Sequence, residues 1–384
     1  MDSVAFRRAK RSLVVAMLCV MLTSFISPAR AATGKVFSWG YNSSGELGEG
    51  SNDNRFLPRA VDLTGVMKMD AGCYHVLALK SDGTVRAWGY NGQGQLGDDS
   101  TDESSTPVKV KSIDNVKAVA AGCYHSMALK KNGTVRAWGY NSSGQLGDGS
   151  TEERHVPTPV DGMENVKAIV AGYDMSAILK KNGRVFTWGS GSDGILGHGD
   201  EDPQPAPLMI AGLTNVKAIA AAEDGYHMLA LKENGTVRAW GENTQGQLGD
   251  DSNDQSSSPV SVVNLDNVKR IAAGYRHSLA LLENGTVRAW GQGTFGALGD
   301  GDVVNRDKPV RTRYLSNVVE VFAGEHHNLA LLANGKVKAW GYNEYGQLGD
   351  DTAVDKPTPI PVDGLSKVFA VSASYDHSHA LRRN

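Results

Sequence analysis

Apolar residues run in short alternating stretches along this chain, and Gly, Asn, Asp and Ser punctuate them at close intervals. Past the first thirty or so residues no long helix-type apolar pattern occurs, and the alternation is that of half-buried strands. The pattern repeats. Val-x-x-Trp-Gly places its Trp at 39, 88, 138, 188, 240, 290 and 340, a spacing of 49 to 52 residues that uses all seven tryptophans. A Leu-Gly pair follows each at a fixed offset, from Leu47, Leu96, Leu146, Leu196, Leu248, Leu298 and Leu348. A period of this length marks a repeat architecture, so length alone does not set the domain count.

One unit reads as four strands. Val116 to Gly122 alternates Val and Ala (strand A), and His125 to Lys130 follows (strand B). Asn132-Gly133 then predicts a two-residue type I′ hairpin, which needs positive φ at both positions. Thr134 to Trp138 is strand C. A Gly-rich loop leads to a Pro-flanked strand D near Pro159 and Val160, where an edge position tolerates proline. Four strands per repeat is a propeller blade. The phase of the two ends adds to this: Gly34 to Trp39 supplies a strand C without A and B, and Val368 to Leu381 supplies A and B without C. The expected fold is all-β, a seven-bladed β-propeller of four-stranded antiparallel blades, with N- and C-terminal strands sharing one blade that closes the ring.

The ordered marks Ala-Gly-x-x-His, Asn-Gly-x-Val-x-x-Trp-Gly and Gly-x-Leu-Gly resemble the regulator-of-chromosome-condensation repeat, over essentially all of residues 34 to 384. The resemblance implies a seven-bladed propeller with a central channel. It implies no single activity.

Residues 1–31 read as a secretory signal: a basic start (Arg7, Arg8, Lys10, Arg11), an apolar run from Ser12 to Ile26, and Ala29-Arg30-Ala31 before cleavage. The propeller then spans 32–384, and the expected location is extracellular with no membrane span after cleavage. The full chain has 39 Lys+Arg and 42 Asp+Glu; residues 1–31 hold five of the bases and one of the acids, so 34 and 41 remain, a formal charge of −7. This mildly acidic balance speaks against nucleic acid, which needs a basic stripe. Cys73 and Cys123 occupy equivalent positions in neighbouring repeats. Such positions usually lie beyond the reach of a disulfide, roughly 7 Å between Cα atoms, so two thiols are expected.

Candidate chemistry is sparse. His recurs on strand B at 75, 125, 227, 277, 327 and 377, with Met175 in the third copy. Repetition of this kind indicates one structural hydrogen bond per blade rather than a catalytic or metal site. Gly92-x-Gly94-x-x-Gly97 meets the dinucleotide fingerprint only literally, because no βαβ unit surrounds it. The acidic C–D loops, such as Asp98-Asp99 and Asp250-Asp251, read as turn chemistry rather than calcium sites. No catalytic residue, cofactor or metal site is expected, and the protein is read as a non-enzyme.

One pattern stands out. In an antiparallel blade the A–B and C–D loops emerge on the same face. That face gathers Tyr74, Tyr124, Tyr173, Tyr226 and Tyr275 with Arg276 and His326 from the A–B loops, and Phe295 and Tyr342 from the C–D loops. Tyr and Arg dominate binding hot spots. These nine residues are the candidate partner site, although repeated Tyr also suits packing of blade against blade, and the positions that break the repeat matter most: Asp174-Met175, Ser190 to Ile195, the insertion around Glu223-Asp224, Arg276, Phe295 and Glu325-His326. The leading expectation is a secreted protein-binding propeller, inhibitor-like in mode, with an unidentified protein partner. Guanine-nucleotide exchange on a small GTPase, implied by the family resemblance, is the alternative. A cell-wall or carbohydrate-binding propeller is the third reading, because Tyr faces also stack on sugars.

Overall fold

A computed structural model describes residues 32–383 apart from Glu223. The leader assigned to residues 1–31 lies outside the described residues. Strands recur in fours: Val66–Ala71, His75–Lys80, Val85–Gly89 and Ser104–Lys109 form the first blade, and five more blades follow in the same order. In the unit read above, strands A to D are Val116–Ala121, His125–Lys130, Val135–Gly139 and Arg154–Pro159, paired antiparallel throughout. In the seventh blade, A and B (Val368–Ser374 and His377–Arg383) are completed by Gly34–Gly40 and Arg55–Ala60 from the other end of the chain. The register there is continuous from Gly34↔Arg383 to Gly40↔His377. The ring closes by the shared blade that the phase of the repeats predicts.

The core is divided into inter-blade wedges. In one of them Met127, Leu129 and Leu146 of blade 2 pack on Ile178 and Trp188 of blade 3. All seven Trp side chains are fully buried. Each indole N–H donates across the blade boundary to the carbonyl that precedes a Leu-Gly pair: Trp138 to Gln95 O at 2.8 Å, Trp188 to Gln145 O at 2.9 Å, Trp39 to Gln347 O at 2.8 Å. The glycine of each Leu-Gly lies against that indole. A Cβ on Gly97 would sit 2.6 Å from Trp138 Nε1, so any side chain would push the blades apart.

The strand-B histidines complete the same belt. Ser126 Oγ donates to Gln95 O (2.8 Å), so it accepts from His75 Nε2–H (2.8 Å). His125–Ser176, His227–Ser278 and His327–Ser378 repeat this arrangement, all at 2.8 Å. In blade 6, Asn328 substitutes for Ser, accepting from His277 at Oδ1 and donating to Ala297 O through Nδ2. The donor directions fix the neutral Nε2–H tautomer, and Nδ1 of each ring is buried without a partner. Burial therefore disfavours the second proton and holds His75, His125, His227 and His327 down at about 3 and His277 at about 4. The recurrent His is structural, as its repetition predicts.

Two expectations are corrected. The B–C hairpin is not type I′. Gly133 has φ +89° but Asn132 is not in the left-handed region. Gly133 N donates to Lys130 O (3.0 Å) and Lys130 N to Thr134 O (2.9 Å), which makes a three-residue loop with glycine at its left-handed third position. Asn132 earns its place by accepting from Thr134 N and Oγ1 at 3.1 and 2.8 Å. The second correction concerns Cys73 and Cys123, which form a disulfide, with Cα atoms 4.4 Å apart. Blades are wedges, narrowest at the axis, and these residues sit in A–B loops at that narrow end. A Cβ on the adjacent Gly72 would lie 2.0 Å from Gly122 O, which shows how closely the two loops approach.

The belt and the staple each yield a test. Ser126→Ala leaves the buried His75 N–H without an acceptor and should cost about 1–3 kcal/mol in denaturant unfolding, with unchanged far-UV dichroism. Intact mass of the native protein should be two hydrogens below the fully reduced value, with alkylation of Cys73 and Cys123 only after reduction.

Candidate functional site

Each C–D loop starts beside the A–B loop of its own blade: Tyr90 N donates to Tyr74 O, Tyr140 N to Tyr124 O, and Tyr342 N to His326 O, at 2.8 to 3.0 Å. The two loop sets share one face, as strand polarity predicts, and all nine candidate residues lie on it, each half-buried. They fall into two arcs. Rings in blades 7, 1, 2, 3 and 4 follow one another as Tyr375, Tyr74, Tyr124, Tyr173 and Tyr226, with centroids 5.1 to 6.0 Å apart. In blades 5 and 6, Tyr275 meets His326 at 5.7 Å, and Phe295 meets His326 at 5.4 Å and Tyr342 at 4.7 Å. Tyr345 extends this second arc to Tyr41, at 5.0 Å. The rings do pack blade against blade, but part of each remains open on the face.

The C–D loops owe their shape to an asparagine that sequence reasoning passed over. Asn91 Oδ1 accepts from Leu96 N at 2.8 Å while its Nδ2 donates to Ser100 O and Asp102 O. Asn42, Asn141, Asn243 and Asn343 repeat this. The acidic residues after Leu-Gly do turn chemistry: Asp98 and Asp148 accept from the Ser two residues on. Blades 3 and 5 carry Gly191 and Gly293 where the others carry Asn, and there the loop tightens into a short 3-10 turn, Ser192–Gly194 and Thr294–Gly296. Asp193 and Phe295 at the centres of these turns have φ of +56° and +58°. Left-handed backbone at a bulky aromatic costs about 1–3 kcal/mol and is commonly retained for function.

Electrostatically the inner face is acidic. Among the described residues of the A–B loops, Arg276 is the one Lys or Arg, against Asp174, Asp224, Glu325 and Asp376. Asp224 belongs to blade 4, and the charges of Glu325 and Asp376 reach it from blades 6 and 7. Burial, reinforced by those two charges, pushes its carboxyl well above the usual range. Burial also raises Asp376 to about 7, although Gln347 Nε2 donates to it at 2.8 Å. His326 is held down at about 4 by burial, so its 3.5 Å contact with Glu325 is not an ion pair at neutral pH.

Arg276 differs from the exposed anchor that the sequence suggests. It spans the boundary to blade 4, pairing with the buried Glu242 at 3.0 Å and lying over the Tyr275 ring at 4.9 Å. Its irregularity is visible in the sequence, but its partner is another irregular residue, Glu242, where other blades carry Tyr, Ser or Gln.

Among known families, the model of the RCC1-like domain matches residues 161–384, and that of the regulator of chromosome condensation (RCC1) repeat matches 33–79, 82–129 and 132–179. Three solved structures are similar over nearly the whole chain. Prp20p of Saccharomyces cerevisiae, described with its binding properties to Gsp1p and histones, is 26% identical over 92% of this chain and 94% of its own, with a TM-score of 0.83. Human WBSCR16 is 25% identical over 91% of this chain and 99% of its own, with a TM-score of 0.81. Yeast RCC1 (Prp20), from the structure with Kap60 bound to it, shares the fold at 24% identity, 100% and 97% coverage and a TM-score of 0.82. No curated protein sequence matches the chain.

The pairing of Arg276 sets a testable expectation. Arg276→Ala should destabilise the fold by about 1–3 kcal/mol because it strands the buried Glu242 carboxylate. Adding Glu242→Gln should restore most of the loss, measured by urea unfolding of the single and double variants.

Proposed function

This chain belongs to the RCC1-like family, and on that premise we propose that it is a non-enzymatic protein-binding propeller that receives its partner on the A–B/C–D face. The observation that carries this reading is Phe295. It is held in left-handed backbone, at the centre of a turn that breaks the repeat, against His326 and Tyr342. Val303, Val304 and Val354 are exposed on the C–D loops of the same two blades, and Val354 O accepts from Asn343 next to Tyr342. An aromatic cluster beside exposed apolar side chains is the composition of an interface centre. The opposite face offers nearly identical Asx-capped hairpins and little to discriminate between partners.

Nucleotide exchange on a small GTPase is the second reading. The likeness to Prp20p, whose binding to Gsp1p is part of its description, favours it over a sugar-binding role. Both readings use a protein partner. They part on where the chain works, and export with cleavage after Ala31 is the proposal for this chain. N-terminal sequencing of the protein from its own cells decides between them: a mature chain starting at Ala32 in the medium supports export, whereas an uncleaved intracellular chain that accelerates GDP release from a small GTPase establishes exchange.

Phe295→Gly separates binding from folding. Glycine accepts the +58° φ without strain, so the melting temperature should hold or rise. Affinity for the partner recovered by pull-down should fall by about 1–3 kcal/mol, the usual cost of truncating an aromatic anchor. Unchanged affinity in this variant would place the interface elsewhere.

A further inference from the structure

On the far side of the same face, blades 1 to 3 form an open pocket of about 320 Å³ lined by Tyr90, Gln93, Tyr124, Tyr140, Tyr173 and Asp174. Tyr124 lies at its middle. The other three rings stand 6.2, 6.2 and 5.8 Å from it at 77°, 71° and 83°, so the four tyrosines wall the space in different planes. A flat ligand stacks on parallel rings. Rings turned steeply to the central Tyr124 instead suit a compact, rounded group. Asp174 supplies the one charge in the lining, and Gln145 Nε2 holds its Oδ1 at 3.2 Å.

The geometry points to this pocket as an aromatic cage that binds an alkylated ammonium group, the ring faces meeting the diffuse positive charge and Asp174 balancing it. Tyr faces attract cations, and quaternary ammonium is the cation that such cages favour, since it cannot hydrogen-bond to water and is cheaply desolvated. The surrounding loops strengthen the case. Arg276, the one described cation among the A–B loops, is in blade 5 and already paired. Asp174 is the one carboxylate in the lining, too few oxygen ligands for a bare divalent ion, so a larger organic cation fits better.

Asp174 adds a pH signature. Burial raises its carboxyl to about 6. The titratable groups around it are Tyr173 and Tyr226, on which its charge acts, and Tyr140, which acts on Tyr173; the phenols of Tyr173 and Tyr226 are raised too and stay neutral in this range. An entering cation favours the ionised carboxylate, so affinity should rise as pH increases through about 6 and level off above it.

The site lies in blades 1 to 3 and the Phe295 cluster in blades 5 and 6, so either assignment can fail without the other. The probe is choline, titrated into the full chain and followed by NMR or tyrosine fluorescence, with 3,3-dimethylbutan-1-ol as its uncharged isostere. Choline should bind saturably and about tenfold more tightly than the isostere. Tyr124→Phe, which keeps the ring, should retain binding, and Tyr124→Leu should lose it. Tyr90→Leu serves in place of Tyr124→Leu if that variant does not fold. Asp174→Asn should weaken choline and abolish the rise with pH. Trimethyllysine amide and phosphocholine distinguish a side-chain source from a lipid headgroup; the phosphate beside Asp174 should make phosphocholine the weaker of the two. Equal binding of choline and its isostere, no saturable choline binding, tighter binding of phosphocholine, or displacement of choline by glucose at lower concentration would each overturn the assignment.

Discussion

Seven backbone carbonyls hold this ring together. Each precedes a Leu-Gly pair and receives the indole N–H of the next blade, and in five of the seven boundaries it also accepts from the Ser or Asn that a histidine of its own blade engages. A carbonyl oxygen has two lone pairs, and this arrangement satisfies both inside a core that water does not reach. Four groups become interdependent across those five boundaries: the Trp that donates, the Gly that leaves it room, the Ser or Asn that donates beside it, and the His that it must accept from. That dependence explains why Trp-Gly, Leu-Gly and His recur together, whereas the strand-A and strand-D residues drift.

The two exceptions follow the same logic. In blade 3 the histidine is Met175, and the residue facing it across the boundary is Met228 where other blades have Ser or Asn. The polar pair is replaced as a pair, so no donor is left buried without an acceptor; a thioether pair fills the same space. At the closing boundary Val76 stands where Ser would be, and the histidine turns elsewhere. Ser38 O–H donates to His379 Nδ1 (2.9 Å), His379 Nε2–H to His377 Nδ1 (2.8 Å), and His377 Nε2–H to Cys73 O (3.2 Å). This directional chain links the N-terminal strand, the C-terminal strand and the first blade. The one blade built from two distant chain segments thus has a polar seam of its own, beside the disulfide that ties blades 1 and 2.

The repeat made the fold legible from sequence, since periodicity reports directly on elements that must be alike. Strand limits in the unit from Val116 agree with the structure within a residue or two at most ends, and the shared blade is plain from the phase of Gly34–Gly40 against His377–Arg383. What escaped were distances between copies. Equivalent positions lie far apart at the rim and nearly touch at the axis, so Cys73 and Cys123 could not be judged without knowing their radius. The hairpin was misassigned for a related reason: Asn-Gly fits both a two-residue and a three-residue loop, and only the Lys130–Thr134 pairing distinguishes them. On the face, the nine aromatic and charged residues were found by type, but their division into two arcs was not, because it depends on which rings reach across boundaries.

That division bears on how a symmetric scaffold acquires function. The belt takes up the recurrent polar groups of most blades and leaves much of the loop face free of structural duty, apart from the buried Asn that shapes most C–D loops, the Cys73–Cys123 disulfide and the Arg276–Glu242 pair. Where that Asn gives way to glycine, in blades 3 and 5, the turn tightens and puts Asp193 or Phe295 in left-handed backbone. Where a blade lacks Tyr at the third A–B position, it carries Asp174, Arg276, His326 or Asp376, and each of these takes a different partner from a neighbouring loop, respectively Gln145, Glu242, Phe295 and Gln347. Asymmetry is therefore carried by loop side chains outside the belt, even where one of them, Arg276, also ties two blades together. Stability resides in what the blades share, and recognition can vary in what they do not.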